Sequence, residues 1–115
     1  MIRQGEIYLI DFGTKYNSEL GKIRPGVVMQ NDFLNASLEE NIYKQILVVP
    51  FSTLQIEDDY RMKIVARERL QKDSYVVANW ACTLDVIRIQ RDKGVIARLY
   101  DYEIEALKKR ICALM

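Results

Sequence analysis

The sequence predicts a small α+β domain that is mainly β, with short antiparallel strands bent into a partly open barrel and one C-terminal helix. Its 115 residues allow one hydrophobic core and are too few for two, so residues 1–115 are expected to form a single domain. Short runs of β-branched and aromatic residues, separated by turn residues, occupy most of the chain. A helical period of apolar residues begins only after residue 101.

The first two predicted strands flank a long loop. Residues 5–11 are expected to form the first strand, because apolar β-branched and aromatic residues lie there between turn-forming glycines. Residues 24–30 are expected to form the second, since Pro25 disfavours helix at the residue before it and an apolar run follows. Gly26 is expected to let another backbone approach closely. Residues 12–23 are predicted to be a loop of the kind that often carries function.

The middle of the chain is predicted to supply the rest of the sheet. Asn31 or Asp32 caps a short helical turn, and a polar connection at residues 38–44 follows it. Residues 45–51 carry the strongest strand pattern, which Pro50 is expected to end at a bulge or an edge. A further strand is predicted at residues 60–65, with Arg61 and Lys63 on its open face. Two more are predicted at residues 74–79 and 83–89, the second with Asp85 near its start, and a turn is predicted at residues 90–94.

The last segment has the pattern of an amphipathic helix that begins at Asp101. Acidic residues are concentrated in its first turn and basic residues in later turns, which suits the helix dipole, and Asp101 is the expected N-cap. The apolar stripe that is expected to pack on the sheet consists of Ile104, Leu107, Ile111 and Leu114.

Composition and charge exclude several classes of protein. Lysine and arginine number 17 against 16 acidic residues, so the net charge near +1 provides no general attraction to nucleic acid. Cys82 and Cys112 fit neither a metal-binding spacing nor a disulfide-dense scaffold, and they are predicted to be small core residues in a reducing compartment. The apolar run at residues 7–10 is too short for a signal peptide, and no later run approaches a membrane span. A cytoplasmic location is therefore expected.

The sequence contains no histidine. This absence excludes a Ser-His-Asp triad, a ribonuclease that uses paired histidines and a histidine-containing zinc site. Any chemistry must therefore use other side chains.

Arg24 is the first candidate for a functional residue. It stands where the predicted loop meets the second strand, so a fixed positive charge lies between a long loop and a rigid scaffold. This placement indicates an anion-binding site. The alternative from the residues alone is an ordinary surface ion pair.

Several short motifs follow one another along nearly the full chain. They are Gly5-Glu6-Ile7-Tyr8, Ser18-Glu19, Gly21, Arg24-Pro25, Gln30-Asn31-Asp32, Val48-Val49-Pro50-Phe51-Ser52-Thr53 and Thr83-Leu84-Asp85. Their order and spacing resemble those of the MazF/PemK (Kid) toxins. The resemblance implies an SH3-like barrel of the CcdB/PemK type, a homodimer and a metal-independent endoribonuclease that cuts single-stranded RNA at specific sequences and needs no cofactor. It also implies inhibition by a cognate antitoxin.

The resemblance also assigns candidate catalytic residues. The family's catalytic arginine falls on Arg24, its threonine after the central strand falls on Ser52 with Thr53 next to it, and its loop acid falls on Glu19. Cleavage by attack of the ribose 2′-hydroxyl passes through a phosphorane with extra negative charge, which Arg24 suits as an electrostatic partner. Ser52 is expected to donate a hydrogen bond to the same phosphate. The alternative for Ser52 is a strand-end residue that caps its own turn.

This chain departs from the family pattern close to the third motif. Several members carry an acidic residue three to four positions before the Thr-Leu-Asp step and an arginine immediately before it, whereas this chain has Asn79 and Cys82. Asn79 binds or orients RNA but does not accept a proton as a carboxylate does. Glu19 is therefore the remaining candidate for the general base. Asp85 is expected to be structural, because it follows a turn and can satisfy loop amides.

A second group of residues is expected to bind RNA. Trp80, the only tryptophan, and Tyr16 are candidates to stack on bases, with core packing or a dimer interface as the alternative for Trp80. Arg61, Lys63, Arg67 and Arg69 are candidates to follow the phosphate backbone, with an ordinary solvated face as the alternative. The remaining predicted RNA-binding residues are Asn17, Lys22 and Asn79.

Two other functions compete with the endoribonuclease. One is a member with weakened catalysis that only binds RNA or antitoxin, which Asn79 and Cys82 favour. The other is a CcdB-like toxin that binds gyrase, although those proteins depend on a Trp-Gly-Ile-like end and this chain ends Ala113-Leu114-Met115. For the leading hypothesis the expected partner is an acidic antitoxin, since a groove that attracts phosphates also attracts carboxylates.

Overall fold

The computed structural model describes residues 1–13, 23–40 and 44–115, with the side chain of Glu39 excepted. The helices are α1 (Asp32–Ala36) and α2 (Asp101–Ala113), and 3-10 turns lie at Leu38–Glu40, Ala78–Trp80, Val86–Arg88 and Arg91–Lys93. The strands in the described residues are β1 (Glu6–Asp11), β2 (Ile23–Val28), β3 (Gln45–Ser52), β4 (Arg61–Ile64), β5 (Ser74–Val77), β6 (Cys82–Asp85) and β7 (Ala97–Arg98).

All the strand pairs are antiparallel, and β3 is the centre of the sheet. The strand order is β4-β5-β3-β2-β1-β7, and β6 pairs with the first half of β3. The second half of β3 pairs with β5. A bent antiparallel sheet of this kind, followed by a C-terminal helix, confirms the predicted fold class.

Alternation along the strands divides the core into two clusters. In β1, Ile7 packs into one cluster with Val27, Val49 and Leu107 of α2, whereas the next residue, Tyr8, packs into the other. The second cluster also contains Ile10, Val28, Val48 and Ile89. The sheet therefore has apolar side chains packed on both faces.

The structure corrects the predicted ends of several strands. β3 continues to Ser52, one residue beyond the predicted end, and Pro50 lies within it and pairs with Gly26. Pro50 instead lies between the part of β3 that pairs with β6 and the part that pairs with β5, where a missing backbone N–H is tolerated. The predicted strand at residues 83–89 is also wrong in its second half. It ends at Asp85, whose side chain accepts a hydrogen bond from the Ile87 backbone N–H and begins a 3-10 turn.

Other differences concern helix ends and small residues. α1 is capped by Asn31, as predicted, but α2 is capped by Tyr100 rather than Asp101, because the Glu103 carboxylate accepts the Tyr100 backbone N–H at 2.8 Å. The predicted strand at residues 74–79 gives way to a 3-10 turn after Val77. Cys112 is exposed on α2, so its assignment to the core is wrong, and Cys82 is half-buried. None of the helices in the described part of the chain has the length and apolar character needed to cross a membrane.

Candidate active site

Arg24 and Ser52 lie at neighbouring ends of two paired strands. The last register pair between β2 and β3 joins Gly26 and Pro50, and two more steps along each strand lead to Arg24 and Ser52. Arg24 and Gly26 face the same side of the sheet, since they are two residues apart in one strand. That side carries Ile10, whose Cδ1 would lie 2.7 Å from a Cβ added at Gly26. A glycine here therefore leaves room for the side chain of β1 beneath the strand that presents Arg24.

The guanidinium of Arg24 is held by backbone and by an aromatic ring. Its Nη1 donates a hydrogen bond to the Phe51 carbonyl at 3.2 Å, immediately before Ser52. Its Cζ lies 5.9 Å from the centroid of the Trp80 ring, within the range of a cation–π interaction. The side chain is half-buried, so its positive charge is less screened than that of a fully exposed arginine. Arg24 is thus positioned by β3 and Trp80 together.

The turn that follows β5 determines the position of Trp80. The backbone N–H of Ala78 donates to the Tyr60 carbonyl at 2.7 Å, and the chain then makes the 3-10 turn Ala78–Trp80 before β6. The half-buried indole ring contacts a second cation, because the Arg61 Cζ lies 5.4 Å from its centroid. One ring therefore holds two guanidinium groups within about 12 Å of each other.

Arg61 begins β4 and its side chain is only about 12% exposed, so the prediction that it lies on the open face of this strand is wrong. Its Nη1 is buried and has no hydrogen-bond partner among the described residues. The nearest carboxylate oxygen in an ion pair is Asp58 Oδ2, at 3.9 Å from Nε, and Asp58 Oδ1 accepts the backbone N–H groups of Tyr60 and Arg61 at 2.8 Å. The hydrogen bonds of Asp58 to the backbone at the start of β4 are therefore much shorter than its contact with the Arg61 side chain.

Ser52 is buried at the end of β3, and its Oγ accepts the Leu54 backbone N–H at 3.1 Å. This contact is the turn-capping role that the residue alone predicted. A hydroxyl has one donor as well as its acceptor lone pairs, so the Ser52 O–H is still able to donate to a ligand. The structural role and the proposed role in catalysis are therefore compatible.

The comparisons with known proteins identify the family. Residues 3–115 match the family described as the PemK-like, MazF-like toxin of type II toxin–antitoxin systems. The chain belongs to this family.

Solved structures of MazF proteins share the fold of this toxin. A MazF from Deinococcus radiodurans is 15% identical, with 97% of this chain and 94% of that chain covered and a TM-score of 0.73. The Mycobacterium tuberculosis toxin MazF-mt6 is 18% identical, with 94% and 93% covered and a TM-score of 0.69. An endoribonuclease from a mycobacterial species, in complex with its cognate antitoxin, is 14% identical, with 98% and 93% covered and a TM-score of 0.71. The resemblance found in the sequence is thus confirmed.

Arg24, Ser52, Arg61 and Trp80 are called the Arg24 cluster below, and two predicted site residues next to its members in sequence line other surfaces of the toxin. Thr53 is exposed and lines a pocket of about 490 Å³ together with Leu9 and Pro25. Pro25 alternates with Arg24 along β2, so this pocket opens on the other face of the sheet. Asn79 is exposed in a groove that it shares with the end of α2, including Leu114. No described contact joins either side chain to Arg24.

The remaining predicted cations of the toxin have different surroundings. Lys63 is exposed on β4 and forms an ion pair with Asp73 at 3.6 Å. Arg69 donates from Nη1 to the backbone carbonyls of Lys93 and Val95 at 2.9 and 3.2 Å. Both therefore lie on polar surface, as the solvated-face alternative predicts.

Arg67 has a structural role in this toxin. It forms a buried bidentate ion pair with Glu103 of α2, and its guanidinium lies 4.0 Å from the Tyr100 ring. The hydrogen bonds to Glu103 raise the pKa of Arg67 above its ordinary value. The interpretation of Arg67 as part of a solvated or phosphate-binding face is therefore wrong.

Four of the predicted site residues, Tyr16, Asn17, Glu19 and Lys22, lie outside the described residues. Sequence reasoning missed Arg110 of α2, whose Nη1 donates to the backbone carbonyls of Asp58 and Asp59 at 3.2 and 3.0 Å. This contact ties α2 to the segment that supplies Asp58 next to Arg61. A basic residue late in a helix gave no signal for it, because the partners are backbone atoms far away in sequence.

Proposed function

We propose that this toxin is an endoribonuclease that cleaves single-stranded RNA at a phosphate bound beside Arg24 and Ser52. The observation that carries the proposal is that Arg24 and Ser52 lie at adjoining ends of β2 and β3, and that Arg61 contacts the same Trp80 ring as Arg24. Arg24 and Ser52 are the residues that the sequence resemblance matches to the family's arginine and hydroxyl. A polyanion is the natural ligand for such a cluster of cations and an aromatic ring.

The proposed reaction is an internal transfer at phosphorus. The ribose 2′-oxygen bonds to the adjacent phosphorus as the bond to the 5′-oxygen breaks, which leaves a 2′,3′-cyclic phosphate and a 5′-hydroxyl. The 2′-hydroxyl loses one proton and the leaving 5′-oxygen gains one. Glu19, which lies outside the described residues, is the proposed acceptor of the first proton, and solvent water supplies the second.

Arg24 acts in this scheme through charge rather than through proton transfer. A guanidinium keeps its proton at neutral pH, so it stabilises the added negative charge on the phosphorane oxygens. The Ser52 hydroxyl donates a second hydrogen bond to the same group. Loss of one such donor costs about 3 kcal/mol in the transition state, or roughly a hundredfold in rate.

The decisive experiment incubates purified protein with a long RNA of mixed sequence in the presence of a chelator. We expect cuts at a restricted set of sequences, with 5′-hydroxyl ends and cyclic phosphates identified by end-specific ligation. Arg24→Ala should abolish the cuts while its circular dichroism spectrum and unfolding midpoint stay close to those of the original protein. Cleavage that survives Arg24→Ala would refute the assignment, and binding without cleavage would favour the catalytically weakened member.

We also propose that the toxin is a homodimer and that an acidic antitoxin segment competes with RNA for the Arg24 cluster. One MazF-like structure of the same fold is an endoribonuclease in complex with its cognate antitoxin. Carboxylates and phosphates both pair with guanidinium groups, so the two ligands should exclude each other. Adding a glutamate-rich peptide to a complex of the toxin with labelled RNA tests this competition, because the peptide should displace the RNA. Simultaneous binding of the peptide and the RNA would contradict it. Sedimentation of the purified protein tests the dimer.

A further inference from the structure

We propose that Arg61 binds a second phosphate of the RNA, next to the one that Arg24 contacts. The toxin then needs two neighbouring phosphates to hold its substrate. This inference rests on the proposed function, but it concerns how the strand is placed in the site and not the bond that is cut.

The first argument is the unsatisfied hydrogen bonding of Arg61. Buried guanidinium groups normally donate to several acceptors, and an unpartnered buried donor calls for an explanation. Arg61 Nη1 is buried without a hydrogen-bond partner in the described part of the chain, and the side chain is only about 12% exposed. A charge held in this way gains more from an incoming anion than a solvated lysine does.

The second argument is the weakness of the competing carboxylate. Asp58 Oδ2 is 3.9 Å from Arg61 Nε, and the Asp58 side chain is 43% exposed. The other oxygen of Asp58 is already used by two backbone N–H groups. A phosphate that accepts two hydrogen bonds from the Arg61 guanidinium forms shorter, charge-assisted contacts, so it can replace the contact with Asp58 without unfolding the start of β4.

The third argument is the position of Trp80. The indole ring contacts both the Arg61 and the Arg24 guanidinium groups, so the two groups are at most about 12 Å apart and can contact neighbouring phosphates of one RNA strand. Arg67, by contrast, has both terminal nitrogens engaged by Glu103. Arg61 therefore contacts the same ring as Arg24 and still has a hydrogen-bond donor to offer a phosphate.

The test combines a protein change with a substrate change. Short oligonucleotides carry one ribonucleotide at a cleavage site mapped on long RNA, and deoxyribonucleotides elsewhere. Each oligonucleotide of the series has a different flanking phosphate replaced by an uncharged methylphosphonate. We expect the replacement of the phosphate that Arg61 contacts to lower kcat/KM of the original protein about tenfold or more. Arg61→Gln should lower kcat/KM by a similar factor on the charged oligonucleotide and cause little further loss on that neutral one.

A matched control is available at the opposite edge of the sheet. Arg98 lies on β7, its side chain is 58% exposed, and four strands separate it from β4. Arg98→Gln removes the same charge from the protein, so it should remain as sensitive to the methylphosphonate as the original protein. This control separates a local contact from a change in net charge.

A positioning role for Arg61, in which it only supports Trp80, gives a different result. Arg61→Gln would then lower kcat/KM by the same factor on the charged oligonucleotide and on every methylphosphonate oligonucleotide. This result would overturn the inference and leave the proposed endoribonuclease activity standing. Absence of any cleavage by the original protein would instead refute the proposed function, and the second phosphate site with it.

Discussion

The Arg24 guanidinium lies 5.9 Å from the centroid of the Trp80 ring, although the two residues belong to strand β2 and to the turn that follows β5. The same ring accepts Arg61 at 5.4 Å. An aromatic face stabilises a nearby cation without taking up its hydrogen-bond donors, whereas a carboxylate would neutralise it. Trp80 therefore concentrates positive charge at the proposed phosphate site.

Removal of the ring should weaken catalysis through both arginines. We expect Trp80→Ala to lower kcat/KM about tenfold or more, and Trp80→Phe to retain most of the activity, because each cation–π contact is worth roughly 0.5–2 kcal/mol. The measurement is cleavage of a short oligonucleotide that contains one mapped site. Phe33→Ala is the matched control, since Phe33 is 85% exposed on α1. Equal losses in Trp80→Ala and Phe33→Ala would contradict the role given to the indole.

The ion pair of Arg67 and Glu103 is expected to stabilise the fold. Their side chains are 8% and 7% exposed, and the Glu103 carboxylate also caps α2 at Tyr100. Glu103→Gln leaves a buried guanidinium without its counter-charge, so it should reduce the free energy of unfolding in urea by about 3 kcal/mol or more. Glu105→Gln, on the exposed side of the same helix, should change it by less than about 0.5 kcal/mol. A loss of similar size in both variants would show that burial of the pair is unimportant.

Alkaline stability should depend on Tyr8. Burial, followed by its hydrogen bond to Glu6, raises the pKa of Tyr8 from 10.0 to about 12. The folded protein thus keeps a proton that the unfolded chain has released, and the contribution of this group is complete below pH 10 and is lost as the pH rises to about 12. Tyr8→Phe should flatten this part of the stability profile in urea titrations, whereas Tyr102→Phe, at an exposed position on α2, should match the original protein.

A side chain at Gly26 should destabilise the protein unless its neighbour Ile10 becomes smaller. An added Cβ would lie 2.7 Å from Ile10 Cδ1 and 3.1 Å from Phe12 Cζ, so the closest neighbours are side chains rather than the backbone that the sequence predicted. Gly26→Ala should destabilise the protein by about 1–3 kcal/mol in thermal unfolding. Adding Ile10→Val removes the nearest methyl group and should recover part of the loss. No recovery would point to strain elsewhere in β2.

Asp85 is expected to be structural, as its hydrogen bond to the Ile87 backbone N–H at 2.9 Å indicates. Asp85→Ala should cost about 1 kcal/mol of stability, and Asp85→Asn should cost less because the amide oxygen still accepts that bond. Cleavage well below the unfolding temperature should be unchanged in both variants. A fall in rate without a fall in stability would instead give Asp85 a part in the reaction.

The fold was predictable where the pattern is local. β1, β3 and α2 follow directly from β-branched runs and from a helical period of apolar residues. The end of β6 was not predictable in this way, because the apolar residues after Asp85 fit either a strand or a 3-10 turn. Ile87 is in fact 84% exposed, which no local rule indicates.

The site was predictable only in part. The Arg-Pro step located Arg24, and the family resemblance related it to Ser52, while the register between β2 and β3 is what brings the strand ends together. The contact of Trp80 with Arg61 depends on the pairing of β4 with β5 and on the turn after Val77. Sequence patterns specify which faces are apolar, but they do not specify how two distant strands are aligned.

The segments that carry Arg24, Ser52, Arg61 and Trp80 are brought together through β3 and its neighbours. During synthesis the N-terminal half of the chain is made first, and it contains β3 before any of β4, β5 or the turn with Trp80 exists. A contact between two segments can form only once both segments exist. A nascent or truncated chain that ends before Trp80 therefore lacks the ring that holds Arg24 and Arg61 together, and the proposed cleavage of RNA can begin only after most of the protein has been synthesised.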